Sequence, residues 1–417
     1  MSETYIAGIG MTPLAKHLTL SVKQLSAMAI DQALQDAGIG KDAVQAAWFC
    51  NTRQGALEGQ HGVRGQCSLR AYGFEGIAIF NTDNACASSS SGLMQAHAAV
   101  KAGLYDVALV VGAEKMNYPE KRKEMFEAFK GSWDRELAEQ HMQALLAMGE
   151  GMDLPPEALA DTGERSVFMD IYAAQARFHM KTFGTTQRQI AAVAAKNHWH
   201  SQFNPLAQYR TPMTVEEVLA DKLVAWPMTR SMCAPMSDGA AALVVVSESA
   251  LKRLDARRAV RIRGLAASSG SQRSADQVER HLTRVAALRA YEVAGVGPQD
   301  ISLAELHDAS AIAEILHTEN CGFCDYGDGG ALVESGATRL GGRLPLNVSG
   351  GLLSKGHPIG ATGAIQVHEV VTQLRGEAGQ RQVPGNPRLG MTENGGGFYG
   401  LEEAACVVGI FEAPSRH

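Results

Sequence analysis

Two stretches of this chain repeat one pattern of strand, polar turn and helix, and that repetition restricts the fold more than any other feature. In the first stretch, GIAIFNT at 76–82 has the pattern of a short strand, and an Asn-rich turn and a Gly/Ser-rich helix start follow at 81–92. A similar turn and helix start occupy 347–363. Each is followed by a Val-rich strand, ALVVGAE in the first half and ACVVGIF in the second. The repetition predicts a duplicated α/β fold with helices layered on a sheet.

The segment between these repeats differs from both. Residues 116–225 carry more charge and more Met, with helix signals and few strand signals, so we expect a mainly helical insertion there. Residues 1–115 together with 226–255 are predicted to form one half, and residues 256–417 the other. A chain of 417 residues is long enough for two such units.

Composition excludes several classes of protein. Hydrophobic residues make up 45% and charged residues 20%, which is typical of a globular protein. The net charge of −6, without a basic stripe, argues against nucleic-acid binding. The sequence contains no apolar run of about 18 residues, so no membrane span is predicted. Seven scattered Cys and an N-terminus without a signal-peptide pattern indicate a cytoplasmic protein.

Cys86 lies in NTDNACASSSSG, after a predicted strand and at the start of a helix predicted from about Cys86 to Ala102. Unpaired N–H groups and the helix dipole at that position favour a thiolate, so the sequence predicts a lowered thiol pKa. The small residues at 88–92 allow another backbone to pack closely. A buried, inert thiol is the alternative, but the strand–turn–helix setting favours a nucleophile.

Two histidines and a glycine triplet are candidates to assist such a nucleophile. His357 lies in the Gly-dense turn SGGLLSKGHPIGATGA, where a backbone can approach a ligand closely. His307, in AELHDAS, follows an apolar strand, at the strand end where α/β sites gather. A structural role is the alternative for each. MTENGGGFYG at 391–400 exposes backbone N–H groups that could line an oxyanion hole.

The order of these motifs resembles that of the thiolases. NACASSSSG, HDAS, GHPIGATG and ENGGGFYG follow one another as in that family, MSDGAAALVV is shared as well, and the likeness runs from YIAGIGMT to VVGIF. The HD pair, in place of the commoner Asn-Glu, is similar to the sterol-carrier-protein-type thiolases and their bacterial relatives. The resemblance implies a layered αβαβα fold built from two duplicated βα halves.

The resemblance also implies a role for each motif. Cys86 would attack a 3-ketoacyl-CoA and hold the shortened acyl group, with His357 as its base. His307 would steady the enolate oxygen, and the N–H groups of Cys86 and Gly395 would form the oxyanion hole. Free CoA would then take the acyl group. Coenzyme A is thus expected as a substrate, and neither a permanently bound cofactor nor a metal is expected.

One part of the thiolase pattern is missing. Commoner thiolases carry a second Cys, the acid and base at the α-carbon, just before the glycine triplet, where this chain has Glu393. Sterol-carrier-type enzymes carry it directly after the HD pair, where this chain has Ala309. Glu393 could take over if an apolar site raised its pKa. Bracing of the loop is the alternative role.

Three further features allow two interpretations each. The lone C-x-x-C at Cys321 and Cys324 lacks the second ligand pair of a zinc site, so a structural role is favoured over metal or redox function. The Met-rich residues 141–180 fit core packing or a tunnel for an acyl chain. The basic cluster at 121–123 fits a solvated helix face or a docking surface for cofactor phosphates.

Two rival functions remain beside thiolytic cleavage of a branched, aromatic or steroid-derived 3-ketoacyl-CoA. Some relatives of this kind are retro-aldolases acting on β-hydroxyacyl-CoAs, although such a lyase needs no acyl-enzyme. A scaffold that binds CoA esters without catalysis is the other. The resemblance further implies a homodimer or larger assembly, and a small partner protein with a zinc ribbon and an oligonucleotide-binding-type fold.

Overall fold

A computed structural model of the chain describes residues 3–159, 162–254 and 256–414. Its strands are β1 (Thr4–Met11), β2 (Ala46–Cys50), β3 (Ala78–Thr82), β4 (Val107–Glu114), β5 (Leu223–Ala225), β6 (Met228–Thr229), β7 (Gly239–Ser247), β8 (Val260–Ser269), β9 (Leu303–Glu305), β10 (Leu389–Gly396) and β11 (Ala405–Glu412). Its α-helices are α1 (Val22–Ala37), α2 (Gln54–Glu58), α3 (Arg64–Tyr72), α4 (Ser88–Lys101), α5 (Arg122–Lys130), α6 (Ala138–Met148), α7 (Val167–Phe183), α8 (Gln187–Ser201), α9 (Val215–Leu219), α10 (Glu248–Leu251), α11 (Leu282–Ala294), α12 (Ala311–Asn320), α13 (Gly329–Glu334) and α14 (Thr362–Arg375).

Nine strands form one mixed sheet in the order β3-β2-β4-β7-β1-β8-β11-β10-β9, and β5 pairs with β6 apart from it. The pairs β2–β3, β2–β4 and β9–β10 are parallel, whereas the other pairs of the large sheet are antiparallel. The two halves of the sheet meet between β1 and β8, where Tyr5 pairs with Arg261 and Ile6 with Val260. Strand β4, which contains the Val-rich ALVVGAE predicted in the first half, is parallel to β2 and antiparallel to β7.

Two helices lie between the halves of the sheet. Leu93 of α4 and Val367 of α14 belong to one buried core that also contains side chains from both sheet halves. Helices α1 and α3 cover the outer face of the first half, and α11 covers the outer face of the second. These five layers confirm the αβαβα architecture.

Local sequence signals explain where several helices begin and end. Ser21 caps α1 by accepting from the Gln24 backbone N–H, while the Gln24 side chain accepts from the Ser21 backbone N–H. Thr186 and Gln189 form the same capping box at the start of α8. Gly38 ends α1 at a φ of 66°, which glycine adopts without steric cost.

The two central helices touch backbone to backbone. A Cβ added to Gly363 would lie 2.6 Å from the backbone nitrogen of Ser90, so any larger residue would push α14 away from α4. The Ser89 hydroxyl accepts from the Ala364 backbone N–H at 2.9 Å. The close approach predicted for the small residues at 88–92 is therefore confirmed.

Two expectations need comment at the level of the fold. The helix predicted from Cys86 begins instead at Ser88, because Ala85 has a φ of 48° and the chain turns before the helix starts. Helices α5 to α9 lie within 116–225, but the division of the chain into domains stays a prediction. Within the described ranges, no helix is long and apolar enough to cross a membrane.

Candidate active site

The three side chains singled out in the sequence converge. The Cys86 sulfur and one ring nitrogen each of His307 and His357 all lie within 4.8 Å of one another. The Cys86 Sγ is 3.3 Å from the His357 Nε2. The two imidazole rings are 5.3 Å apart and nearly perpendicular. Residues separated by more than two hundred positions thus form one reactive cluster.

The turn that carries Cys86 is held by the serine that follows it. The Ser88 hydroxyl accepts from the Asn84 backbone N–H at 2.9 Å and donates to the Ala85 carbonyl at 2.6 Å. These two bonds close the turn between β3 and α4 around Cys86. The serine run of this motif therefore serves the geometry of the cysteine as well as close packing.

Neighbouring hydroxyls define the tautomer of His357. The Thr362 hydroxyl donates to the Pro358 carbonyl at 3.1 Å, so towards the ring it acts as an acceptor for the Nδ1–H, 2.8 Å away. The proton then resides on Nδ1, and Nε2 offers its lone pair to the Cys86 thiol. His357 is therefore placed as a base for Cys86.

His307 is held in the opposite sense. The Asn394 side-chain NH₂ donates to the His307 Nδ1 at 3.0 Å, and the Asn394 oxygen accepts from the Ser90 hydroxyl at 2.7 Å. With Nδ1 as acceptor, the proton of the neutral ring is on Nε2. His307 thus presents a hydrogen-bond donor, which suits an oxygen that gains negative charge.

Burial favours the neutral form of all three reacting groups. Burial raises the pKa of the Cys86 thiol to about 12, against the opposing effects of the Arg53 charge and the Gly397 N–H. Burial lowers the pKa of His307 to about 3, and it lowers the pKa of His357 well below its usual value. The expected lowered thiol pKa is wrong, because Cys86 precedes the helix and dense protein surrounds it. His357 must therefore take the thiol proton as the sulfur attacks.

A cavity of about 230 Å³ leads to the Cys86 sulfur. Its wall opposite the reactive cluster comes from α5 and α7, which contribute Phe126, Phe129, Phe168, Met169 and Tyr172. A second, more open cavity of about 870 Å³ shares Cys233, Ala234 and Pro235 with the first. The two cavities are therefore adjacent, and the one next to the sulfur is mostly apolar.

The glycine predicted for the oxyanion hole is displaced by two positions. Gly395 does not line the cavity, whereas Gly396 and Gly397 do. The Gly397 N–H favours the Cys86 thiolate by lowering its pKa, and Gly397 has a φ of 65°, which turns the backbone out of β10. An oxyanion hole here would use Gly397 in place of Gly395, together with the Cys86 N–H.

Glu393 lies behind the site. Its carboxylate accepts from the His307 backbone N–H at 3.0 Å and is 3.7 Å from the His317 Nδ1. Burial raises its pKa, as expected, but the side chain does not line the cavity. Glu393 braces His307, so the predicted role as second acid has no support in the geometry.

Sequence reasoning missed several polar residues of the cavity wall, among them Arg53, Tyr172 and Glu403. Arg53 is buried, and its guanidinium donates to the Ser132 hydroxyl at 2.5 Å. Burial raises the pKa of Tyr172 well above its usual value. None of the three lies in a Gly-rich motif or at a regular spacing from Cys86, so only tertiary contacts reveal them.

The remaining candidates lie elsewhere. Cys321 is buried, Cys324 is half-buried, and neither is disulfide-bonded. Among the described side chains, only Cys86, His307 and His357 bring three potential metal-ligand atoms close together, so the C-x-x-C pair lacks further ligands near it. Of the Met-rich stretch, Met169 lines the cavity. Lys121 donates to the Leu57 carbonyl at 2.6 Å.

Comparison with known proteins identifies the family. Residues 4–249 match the thiolase N-terminal domain, and residues 265–409 match the thiolase C-terminal domain-like family. The chain belongs to the thiolase family. It is an acyl-CoA C-acyltransferase.

Individual relatives span the whole chain. An acetyl-CoA acetyltransferase from Methanothermobacter thermautotrophicus is 34% identical over 96% of this chain and 98% of its own length. The benzoylsuccinyl-CoA thiolase subunit BbsB of Thauera aromatica is 33% identical over 95% of both chains. Among solved structures, the Ltp2-ChsH2(DUF35) aldolase matches with a TM-score of 0.77 at 24% identity, covering 99% of this thiolase and 98% of that chain. The last likeness shows the fold alone.

Proposed function

We propose that this thiolase cleaves a 3-ketoacyl-CoA with free CoA through a covalent acyl-enzyme on Cys86. The observation that carries the proposal is the 3.3 Å contact between the Cys86 thiol and the His357 Nε2, with the ring proton held on Nδ1 by Thr362. A soft nucleophile with its base in hydrogen-bond reach is the requirement for acyl transfer through a thioester.

The surrounding groups fit the two charged stages of that reaction. As Cys86 attacks the ketone, negative charge develops on the former carbonyl oxygen, and the Cys86 and Gly397 N–H groups are the donors near it. When the bond between the two carbons breaks, the thioester oxygen of the departing fragment becomes an enolate oxygen. The Nε2–H of His307 faces that position. CoA then attacks the acyl-enzyme and Cys86 leaves.

The cavities support a CoA ester of a bulky acid. The smaller one, next to the sulfur, is lined by aromatic and Met side chains that suit an apolar acyl group. The larger one is more polar and contains Arg210 and Arg230, which suits the phosphates of a CoA tail. The acyl group therefore belongs in the inner cavity and the nucleotide in the outer one.

The test is to trap the acyl-enzyme. Wild-type protein, Cys86→Ser and the control Cys67→Ser are incubated with a panel of acyl-CoAs and analysed by intact mass. Cys67 is half-buried in α3 and does not line either cavity. We expect an acyl adduct on wild type and on the control, and none on Cys86→Ser. CoA-dependent cleavage retained by Cys86→Ser would overturn the proposal.

Product analysis separates this reaction from the retro-aldolase alternative. Thiolytic cleavage consumes one CoA for each 3-ketoacyl-CoA and gives two acyl-CoA products, whereas a β-hydroxyacyl-CoA lyase releases a ketone or aldehyde without consuming CoA. The assay is run with and without a small zinc-ribbon partner protein, since the solved aldolase relative is a complex of Ltp2 with ChsH2(DUF35). The partner and the homodimer remain predictions for this chain.

A further inference from the structure

Cleavage of the carbon–carbon bond leaves negative charge on the α-carbon, and that carbon must receive a proton. At the two positions where the thiolase resemblance places the acid, this chain offers none in the cavity. Ala309 lines the cavity but has no acidic group, and Glu393 faces away from it. Another group in the cavity wall must therefore supply the proton.

Glu403 is an ionisable side chain of that wall and lies against the glycine triplet. It lines the cavity and is 3% exposed. A Cβ added to Gly395 would lie 2.8 Å from the Glu403 Cγ. The Glu403 side chain therefore packs directly against the backbone of Gly395, next to Gly396 and Gly397. The Glu403 Oε2 is buried, makes no hydrogen bond to a described residue, and lies 3.8 Å from the His281 Nε2. An unpaired buried acceptor at a cavity wall is costly unless a ligand or a proton uses it.

His317 is the proton-bearing partner of Glu403. The His317 Nε2 lies 3.5 Å from the Glu403 Oε1, and the His317 Nδ1 lies 3.7 Å from the Glu393 Oε1. Burial opposes the charge on His317, but the two carboxylates outweigh it and raise its pKa to about 9. The nearby His317 in turn lowers the pKa of Glu403, against the effect of burial. The proton of this buried pair therefore resides on His317, and Glu403 is ionised.

Two rival donors in the cavity are weaker. The Cys233 thiol donates to the Thr229 carbonyl at 3.4 Å and lies where the inner cavity joins the outer one. Tyr172 holds its proton too firmly for transfer, since burial and the Glu403 charge raise its pKa. Tyr172 is suited to donate a hydrogen bond, whereas the Glu403–His317 pair is suited to give and take a proton.

We propose that Glu403, with its proton supplied by His317, is the acid and base at the substrate α-carbon. In the first half-reaction the Cys86 proton moves to His357, the sulfur–acyl bond forms, the carbon–carbon bond breaks, and the α-carbon takes the proton of the Glu403–His317 pair. In the second half-reaction CoA gives its thiol proton to solvent and attacks as the thiolate, while the pair takes a proton back from solvent. CoA then takes the acyl group, and Cys86 recovers its own proton from His357.

This inference rests on the proposed function, and two exchange reactions separate them. With acetyl-CoA or propionyl-CoA as probe in D₂O, transfer of the acyl group to isotopically labelled CoA requires Cys86 and His357 but no proton transfer at the α-carbon. Deuterium incorporation at the α-carbon requires the α-carbon base. We expect Glu403→Gln to lower deuterium incorporation by about 100-fold or more and to keep acyl exchange within about threefold.

The control is Glu319→Gln. Glu319 is also a buried carboxylate paired with a histidine, at 2.9 Å from the His179 Nε2, but it does not line this cavity. We expect both exchange rates of this variant to match wild type. Equal loss of both reactions in Glu403→Gln would overturn the inference, as would unchanged deuterium incorporation.

If Glu403→Gln fails to fold, Glu403→Asp gives the same test, because it keeps the charge beside His317 but withdraws the carboxylate from the cavity. We expect a selective fall in deuterium incorporation, and an unchanged rate would overturn the inference. Absence of acyl exchange in the wild-type protein would instead overturn the proposed function.

Discussion

At the scale of the residue, hydrogen bonds decide what each side chain of the site can do. His307 and His357 are both neutral imidazoles in one pocket, yet they have opposite roles. Thr362 accepts from the His357 Nδ1, whereas Asn394 donates to the His307 Nδ1. One ring therefore presents a lone pair and the other presents a proton. The chemistry depends on these partners as much as on the histidines.

Thr362→Val removes the acceptor that holds the His357 tautomer. We expect kcat to fall by about 10- to 100-fold, because part of the enzyme then carries its proton on Nε2 and cannot deprotonate Cys86. KM should change little, since Thr362 does not line the cavity. Thr362→Ser keeps the hydroxyl and should restore most of kcat in steady-state assays. A similar loss in both variants would contradict this role for the hydroxyl.

Sequence reasoning located the reactive residues but not their helpers. Cys86, His307 and His357 lie at strand ends and Gly-rich turns, where function gathers in α/β proteins. Glu393 was misplaced because side chains along a strand alternate between faces. Asn394 points to the central layer and bonds Ser90, so Glu393 on the neighbouring position of β10 points to the other face. Glu403 is recognisable only by contacts with residues far along the chain.

At the scale of the element, the site depends on how α4 meets α14. Cys86 precedes the first helix by two residues, and His357 precedes the second by five. The helices touch through Gly363 and Ser90, so their spacing sets the distance between the sulfur and the imidazole. The strand–turn–helix repeats allowed both helices to be predicted. The register of their contact was not predictable, because it depends on packing in three dimensions.

Gly363→Ala tests this dependence. An added methyl group would meet the Ser90 backbone nitrogen at 2.6 Å and the Asn394 side-chain oxygen at 2.7 Å. We expect a loss of about 1–3 kcal/mol in unfolding free energy by urea titration, with a larger proportional loss of activity. Gly40→Ala is the control, since its Cβ would have no neighbour within 4 Å. An unchanged midpoint for Gly363→Ala would contradict the close contact.

At the scale of the whole molecule, the protein buries a group of charged side chains close to the active site. His317 lies between Glu393 and Glu403, and its pKa is raised to about 9. Between pH 6.5 and about 9 this histidine therefore holds a proton in the folded protein that it has lost in the unfolded chain. The stabilisation from this group is complete below pH 6.5 and disappears as the pH rises through 9. Sequence alone could not predict this, because the three residues are distant in the chain.

His317→Gln should reveal that pH dependence. Removing protonated His317 leaves the buried carboxylates of Glu393 and Glu403 without the positive charge between them. We expect a loss of about 3 kcal/mol in unfolding free energy at pH 6. The difference from wild type should shrink between pH 6.5 and pH 9, as the wild-type histidine loses its own proton. Urea titrations at pH 6, 7.5 and 9 measure it. A difference that stays constant with pH would show that His317 is uncharged in the folded state.

The neutrality of the resting cluster has a consequence for selection among ligands. A site that carried a permanent thiolate–imidazolium pair would attract ions and react with any electrophile that diffused in. Here the Cys86 sulfur stays protonated until a thioester binds next to it. The Thr362 hydroxyl and the Asn394 amide already hold the two imidazole rings in position. Cys86 becomes reactive only when a substrate is bound, so alkylating agents and oxidants should react slowly with it.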